Sequence, residues 1–473
     1  MRRTLFLAFL LVATALGSRA DVPFDSYFVD RTMRVDYFHT GGPAGEVLAL
    51  DQVVSDGAWA GSTTRLIDEL NLGHYLFTVI DQESNRSLYS RGFSTLFNEW
   101  VTTPEAKSTH RTFHESLRFP WPRKPVRIVL EQRNASNQFA PLWSVAIDPV
   151  SRFVNPAAPA PRGEVWSVMD HGDPKTKVDL LILGEGYTAT EMEKFRADVR
   201  RMVDVLFTFE PYKSRKNDFN VRAIDLPSEM SGVNRPQVEQ FRRTPISVQY
   251  NIFDSERYAL TLDNRALRDV AAGAPYEFVE ILINEEHYGG GGIFNFQATA
   301  SVNAGYANYL FVHEFGHHFA GLGDEYYTSD VAYETGGAWH PEPWEPNITA
   351  LHDPAMLKWR DLVEANTPLP TPWDKATFEE KSRAFQERRR ELRAKRVPES
   401  VMDEFFDEVK AADTSLLGSQ KWARKVGAFE GASYEAKGLY RPEADCIMFT
   451  RDDVGFCRVC RRGIERVIDQ YSR

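Results

Sequence analysis

Nine residues, Asn155 to Gly163, read NPAAPAPRG and divide the chain in two. Proline fixes φ and has no backbone N–H, so this stretch admits neither a helix interior nor a central strand. It is stiff and extended, as a linker is. The patterning differs on its two sides. Between 21 and 154, short β-rich segments (Val47–Leu50, His74–Ile80, Val126–Leu130) are separated by turn pairs such as Gly41-Gly42 and Asp56-Gly57. That alternation predicts an all-β sandwich. Between 164 and 473 strands and helices alternate. Val178–Leu183 is an apolar run of the kind buried strands use, and the turn Gly184-Glu185-Gly186 follows it. That turn has neither the third glycine of a dinucleotide fingerprint nor a phosphate-loop lysine. Thr190 and Glu193 read as a capping box, ahead of Phe195, Val199, Met202, Val203 and Leu206 at helical spacing. Phe219–Ile224 and Phe278–Ile283 read as further strands, and Ile293–Ser301 as an edge strand or a loop across a cleft. Residues 373–412 form a charged helical insertion broken at Pro398, in which Glu387–Glu391 is a solvated face. The fold class expected is α+β, a β-sandwich followed by a mixed-sheet domain.

The N-terminus points to export. Arg2 and Arg3 precede an apolar run from Leu5 to Leu16 and then small residues, the layout of a signal peptide over 1–20. Cleavage after Ala20 removes three arginines and no acid, moving the net charge from -11 to -14. The expected location is secreted or periplasmic. No other stretch is long and apolar enough to span a bilayer. The chain is acidic, with a pI of about 5.6, which argues against a nucleic-acid partner. Its three cysteines, Cys446, Cys457 and Cys460, lie late in the sequence. In an exported chain they read as a local disulfide clip with one spare thiol, because no second CxxC or paired histidine completes a zinc site.

The chemistry concentrates in residues 313–325, HEFGHHFAGLGDE. His313 and His317 are four apart, so the predicted helix over Tyr306–Gly321 stacks them on one face, where both rings can reach one zinc ion. Glu314 is placed to act as general base on a water at the open position. With 11 histidines in 473 residues, a chance HExxH is expected on the order of 0.02 times per chain. A third ligand must come from beyond the helix. Gly321 and Gly323 let the chain turn back, with Asp324 as the candidate and Glu325 as the alternative. His318 lies about 100° around the helix from His317 and is excluded. His110 and His114 are also four apart but carry no such pattern and read as a surface pair.

Here the sequence resembles the IgA-peptidase family of zinc metallopeptidases, a metzincin-like branch. The likeness rests on His313–Tyr326, on Leu183–Thr188 (LGEGYT), on Trp344-Glu345-Pro346-Asn347, on Val426–Tyr434, on Tyr440-Arg441-Pro442 and on Cys446-Ile447-Met448. It covers about 165–473 and extends toward the preceding β domain. The resemblance implies a metzincin-like zinc endopeptidase with one catalytic zinc on His313, His317 and Asp324. It also implies Met448 in a turn beneath the metal, Tyr440 on the tetrahedral oxyanion and Glu430 behind a liganding histidine. The substrate would be a protein or peptide, including a host or glycosylated protein, lying along Ile293–Ser301. Two other readings stay open: a zinc amidase acting on cell-wall peptides or glycopeptides, and a non-enzymatic surface-binding protein on the same fold.

Overall fold

The computed structural model describes residues 22–328 and 339–472. The signal-peptide assignment lies outside them. The period-two segments of the first half become two facing sheets. One has the order β5-β1-β2-β8, from β1 (Phe28–Gly42), β2 (Gly45–Ser55), β5 (Arg111–Pro122) and β8 (Val154–Asn155). The other has the order β4-β3-β6-β7, from β3 (Tyr75–Asp81), β4 (Ser87–Phe93), β6 (Val126–Arg133) and β7 (Phe139–Ile147). Along β3 buried and half-buried residues alternate, because only one face meets the core. Val35 and Tyr37 from one sheet share that core with Phe77, Ile128 and Leu130 from the other. Two short helices, α1 (Phe24–Tyr27) and α2 (Leu96–Trp100), complete this unit.

Beyond the proline-rich stretch lies a six-stranded mixed sheet of order β15-β16-β14-β10-β11-β9. Its strands are β9 (Glu164–Met169), β10 (Val178–Glu185), β11 (Phe219–Asp225), β14 (Phe278–Ile283), β15 (Gly290–Ile293) and β16 (Gln297–Ser301). The inner pairings are parallel and the two outer strands run antiparallel. Every residue of β10 is buried, as parallel strands covered on both faces require. Leu180 and Ile182 face a core shared with α3 (Met192–Leu206), α5 (Ala307–Ala320) and α8 (Arg458–Tyr471). Leu181 and Leu183 face the opposite core, against α4 (Asn264–Ala271). A small ribbon, β12 (Val248–Gln249) with β13 (Leu260–Thr261), and a hairpin, β17 (Phe429–Ala432) with β18 (Glu435–Arg441), lie outside this sheet.

The architecture is therefore mixed α/β with several sheets and, among the described residues, eight α-helices. Two local expectations shift, and the break expected at Pro398 is met. The capping box is Thr188 with Glu191, not Thr190 with Glu193, and it opens a 3-10 turn that leads into α3. The charged insertion is two helices, α6 (Lys375–Ala394) and α7 (Glu399–Gly418), with Pro398 at the second N-cap, where a missing N–H does no harm. Ile293–Ser301 is not an edge. Its β16 portion pairs with β14 on one side and β15 on the other, so the edge strand is Gly290–Ile293.

The sandwich docks on the mixed sheet beside that edge. Ser94 N–H donates to Phe294 O at 3.0 Å and Asn295 Nδ2 to Gly92 O at 3.0 Å. Arg34 reaches Asp269 at 2.8 Å. His114 joins this contact through Asn264 at 3.0 Å, while His110 is exposed, so the two are not a functional pair. Among the described residues no helix is long and apolar enough to cross a membrane.

Candidate metal centre

Helix α5 carries the motif and ends at Gly321, whose φ of 58° is left-handed. A side chain there would also meet the Trp344 ring at 2.8 Å, so glycine is required twice over. The chain then turns back, and Asn347 clamps it. Gly323 N–H donates to Asn347 Oδ1 at 2.8 Å, and Asn347 Nδ2 donates to Gly323 O at 2.9 Å. This turn brings Asp324 over the two histidines. Asp324 Oδ1 lies 3.2 Å from His313 Nε2 and 3.2 Å from His317 Nε2, and the two Nε2 atoms are 3.1 Å apart.

The outer ring nitrogens explain what faces inward. His313 Nδ1 sits 2.9 Å from Ile447 O, and His317 Nδ1 sits 2.6 Å from Leu322 O. A carbonyl oxygen can only accept, so each Nδ1 carries a proton, and in the neutral ring each Nε2 presents a lone pair. Two lone pairs and a carboxylate oxygen thus converge, and Asp324 Oδ1 is buried without a hydrogen-bond partner. Donors about 2.0–2.1 Å from a tetrahedral zinc stand about 3.3 Å from one another. The observed triangle fits a metal, and its donor set of two imidazoles and a carboxylate suits zinc.

The three groups form a pocket that holds positive charge: burial opposes charge on Asp324, but the two histidines outweigh it and hold the carboxyl well below its usual range, and Asp324 in turn raises His317, against its burial, to about 9. Burial raises Glu314 above the ordinary carboxylate range, against the pull of His313 and His317. Glu314 and His313 line a cleft with Arg257, Tyr309 and Tyr326 and with Phe385, Phe405 and Phe406 of the α6–α7 pair.

Other expected residues fall as follows. Glu325 points away from the histidines, into a group with Cys446, Cys457 and Cys460. Those cysteines are free, with Cys446 and Cys460 Sγ atoms 3.9 Å apart, so the expected disulfide clip is not formed. Met448 is fully buried against Gly316 of α5, where a Cβ would come within 3.1 Å of its sulfur. Glu430 pairs with Lys375 at 3.0 Å, not with a histidine; carbonyl groups do the orienting instead. Tyr440 is half-buried on β18, bonded through its backbone to Thr349, and is not in the cleft wall. His318 is fully buried and ties α5 to the sheet through Ile293 O at 2.9 Å and Val279 N–H at 3.2 Å.

Several residues around the site were not anticipated. Tyr434 donates to Asp324 Oδ2. It sits with Ser433 at the tip of the β17–β18 hairpin, both at positive φ (50° and 65°), in a two-residue turn where glycine or asparagine is usual. A tyrosine held there against its backbone preference marks a side chain the site needs. Arg257 reaches Tyr326 Oη at 3.4 Å. Glu99, on α2 of the sandwich, is near enough to feel His317 and Asp324, and burial raises it to about 7. None of these carries a motif; only the VGAFEGASY stretch hinted at Tyr434.

A search of curated proteins found no match. Residues 167–468 match the family described as IgA Peptidase M64, and residues 23–144 match the one described as Peptidase M64 N-terminus. With both parts matched in order and nearly the whole length covered, the chain belongs to the IgA peptidase M64 family.

Proposed function

We propose that this peptidase is an exported zinc-dependent endopeptidase. The observation that carries the reading is the triangle of His313 Nε2, His317 Nε2 and Asp324 Oδ1, with edges of 3.1–3.2 Å, beside Glu314 in an open cleft. A zinc ion held by these three groups would lower the pKa of a water toward about 7 and polarise a carbonyl oxygen. Glu314, its carboxyl raised by burial, takes the proton from the attacking water and hands it to the leaving amine. Tyr434 holds Asp324 in place through its second oxygen. Negative charge growing on the substrate carbonyl oxygen falls to donors that line the cleft. Arg257 and Tyr326 do so, and they suit the oxyanion role better than Tyr440.

The substrate chain lies between the α5 side and the α6–α7 wall, whose phenylalanines offer apolar contacts to its side chains. Addition as a full extra strand is limited, because residues 257–259 already cover the outer edge at Gly290.

The test pairs wild type with Glu314→Gln and His317→Ala on unfolded proteins, immunoglobulin A and peptidoglycan peptides. Glu314→Gln should keep its zinc and lose about 10²–10⁴-fold in turnover. His317→Ala should lose zinc from this centre. Cleavage of cell-wall peptides alone would move the substrate class to amides of the wall. Undiminished proteolysis by Glu314→Gln would refute the mechanism.

A further inference from the structure

The second cluster lies on the far side of the Asp324–Glu325 peptide. We propose that Glu325, Cys446, Cys457 and Cys460 bind a second, structural zinc ion, back to back with the histidine centre. All four residues are buried, and one ligand atom from each lies within 4.8 Å of the others. Cys460 Sγ is 3.9 Å from Cys446 Sγ and 3.2 Å from Glu325 Oε1, and Cys457 Sγ is 3.9 Å from that oxygen. In a tetrahedral zinc site with Zn–S of about 2.3 Å and Zn–O of about 2.0–2.2 Å, sulfurs stand about 3.8 Å apart and sulfur and oxygen about 3.6 Å. A disulfide needs sulfurs at about 2.05 Å.

Two independent observations point to a cation-binding site. Glu325 is fully buried, and its Oε2 has no hydrogen-bond partner. Carboxylates are not left so without compensation. Two of the sulfurs, in turn, are placed to accept backbone N–H groups. Cys457 N–H points at Cys446 Sγ at 3.2 Å, and Cys460 N–H points at Cys457 Sγ at 3.4 Å. Cys457 is the N-cap of α8, so the positive end of the helix faces the cluster. Three soft sulfur donors favour zinc over calcium or magnesium. Binding releases the thiol protons and needs no oxidant.

The site would act as a brace. Glu325 adjoins Asp324, and its N–H donates to Met448 O at 2.8 Å. Cys446 adjoins Ile447, whose carbonyl orients His313. One ion at this point would fix the third-ligand loop, the turn beneath α5 and the start of α8 together.

The experiment is zinc analysis of the full-length mature chain, loaded with Zn²⁺ and dialysed without reductant. About two zinc ions per chain are expected in wild type and about one in His317→Ala. In His317→Ala stripped of metal under reducing conditions, added Co²⁺ should give the near-ultraviolet absorption of thiolate-to-cobalt charge transfer. Glu325→Gln in that background should weaken it, and Cys457→Ser with Cys460→Ser should abolish it. Because those serine variants can fail to fold, native wild type is also treated with iodoacetamide. Its thiols should resist alkylation until a chelator is added. A single zinc lost wholly in His317→Ala, or a native mass two hydrogens lighter from a disulfide, would overturn the proposal. Zinc that stays thiolate-bound while His317→Ala changes nothing else would instead count against the histidine centre alone.

Discussion

Asn347 is the place where a single side chain holds the histidine centre without touching it. It is fully buried, and its amide makes three hydrogen bonds: from Gly323 N–H at 2.8 Å, to Gly323 O at 2.9 Å and to Glu325 Oε1 at 3.0 Å. Asn347→Ala leaves the half-buried Gly323 N–H and Gly323 O without their partner, while Glu325 Oε1 keeps Cys460 Sγ at 3.2 Å. At about 1–2 kcal/mol each the two total about 2–4 kcal/mol, and water entering the space recovers part, so about 2 kcal/mol is expected. The local effect matters more. Among the described residues nothing else donates to Gly323 O, so the turn relaxes and Asp324 leaves its position over the rings. Loss of such a supporting contact weakens metal binding about 10–100-fold. Chelator competition measures this for the zinc fraction that His317→Ala removes, and urea unfolding of metal-free protein measures the stability term. Asn347→Asp adds a control. It can still accept from Gly323 N–H but loses both donations and sets a carboxylate against Glu325, so it should be no better than alanine. If Asn347→Ala loses stability but keeps zinc affinity within about twofold, the clamp is not what positions Asp324, and the reasoning fails.

Three further outcomes follow from the packing and charge. Tyr434→Phe removes the hydroxyl on Asp324 while keeping the ring, so zinc affinity should fall about 10-fold with little change in the unfolding midpoint; equal affinity would refute it. Gly292→Ala would put a Cβ 2.2 Å from the backbone oxygen of Glu314, so β15 and α5 must separate. A cost of about 1–3 kcal/mol and loss of activity are expected, read by thermal unfolding and turnover. In the sandwich, burial opposes charge on His39, but Glu115 at 3.2 Å and Glu46 at 2.8 Å raise it to about 9. Its folded value lies above the unfolded one, so the stabilisation is complete below about pH 6.5 and lost as pH rises through 9. The full span is worth at most about 3 kcal/mol. His39→Gln should flatten stability between those pH values, and an unchanged slope would refute the assignment.

The sequence made legible what is local. Short β-rich segments, continuous apolar runs and helical spacing placed β3, β6, β10, β11, β14 and α5, and the helix alone put His313 and His317 on one face. Pro398 marked the break between α6 and α7. What could not be read was set by contacts between distant segments. Asp324 and Glu325 are adjacent carboxylates past the same glycines, and spacing left both open. They separate because Asn347 and Tyr434 hold one over the histidines while the other meets three cysteines more than a hundred residues away. The cysteine expectation failed for the same reason. A search for a second CxxC or a histidine pair could not find a glutamate as the fourth group. Ile293–Ser301 reads as an edge strand or a cleft loop because four glycines precede it, yet three of those glycines form most of its partner β15, and glycine carries no strand signal.

This dependence on distant segments has a consequence for how the centre forms. Helix α5 can present two imidazoles by itself, but their orientation is not local. Ile447 O, which fixes His313, lies 134 residues later, and the Tyr434 hydroxyl on Asp324 lies 110 residues later. The loop clamp, Asn347, comes 24 residues after Gly323. An imidazole free to turn loses the tautomer that aims its Nε2 inward, so two histidines on a bare helix bind zinc far more weakly than the closed triangle does. The C-terminal segment is thus part of the metal site, although it supplies none of the histidine centre's ligands. A chain ending before β17 keeps His313, Glu314, His317 and Asp324 and should still lack tight zinc binding and activity. Restoring the missing segment as a separate polypeptide should recover zinc affinity before it recovers full stability, since orientation needs only Ile447 and Tyr434 seated against α5 and Asp324.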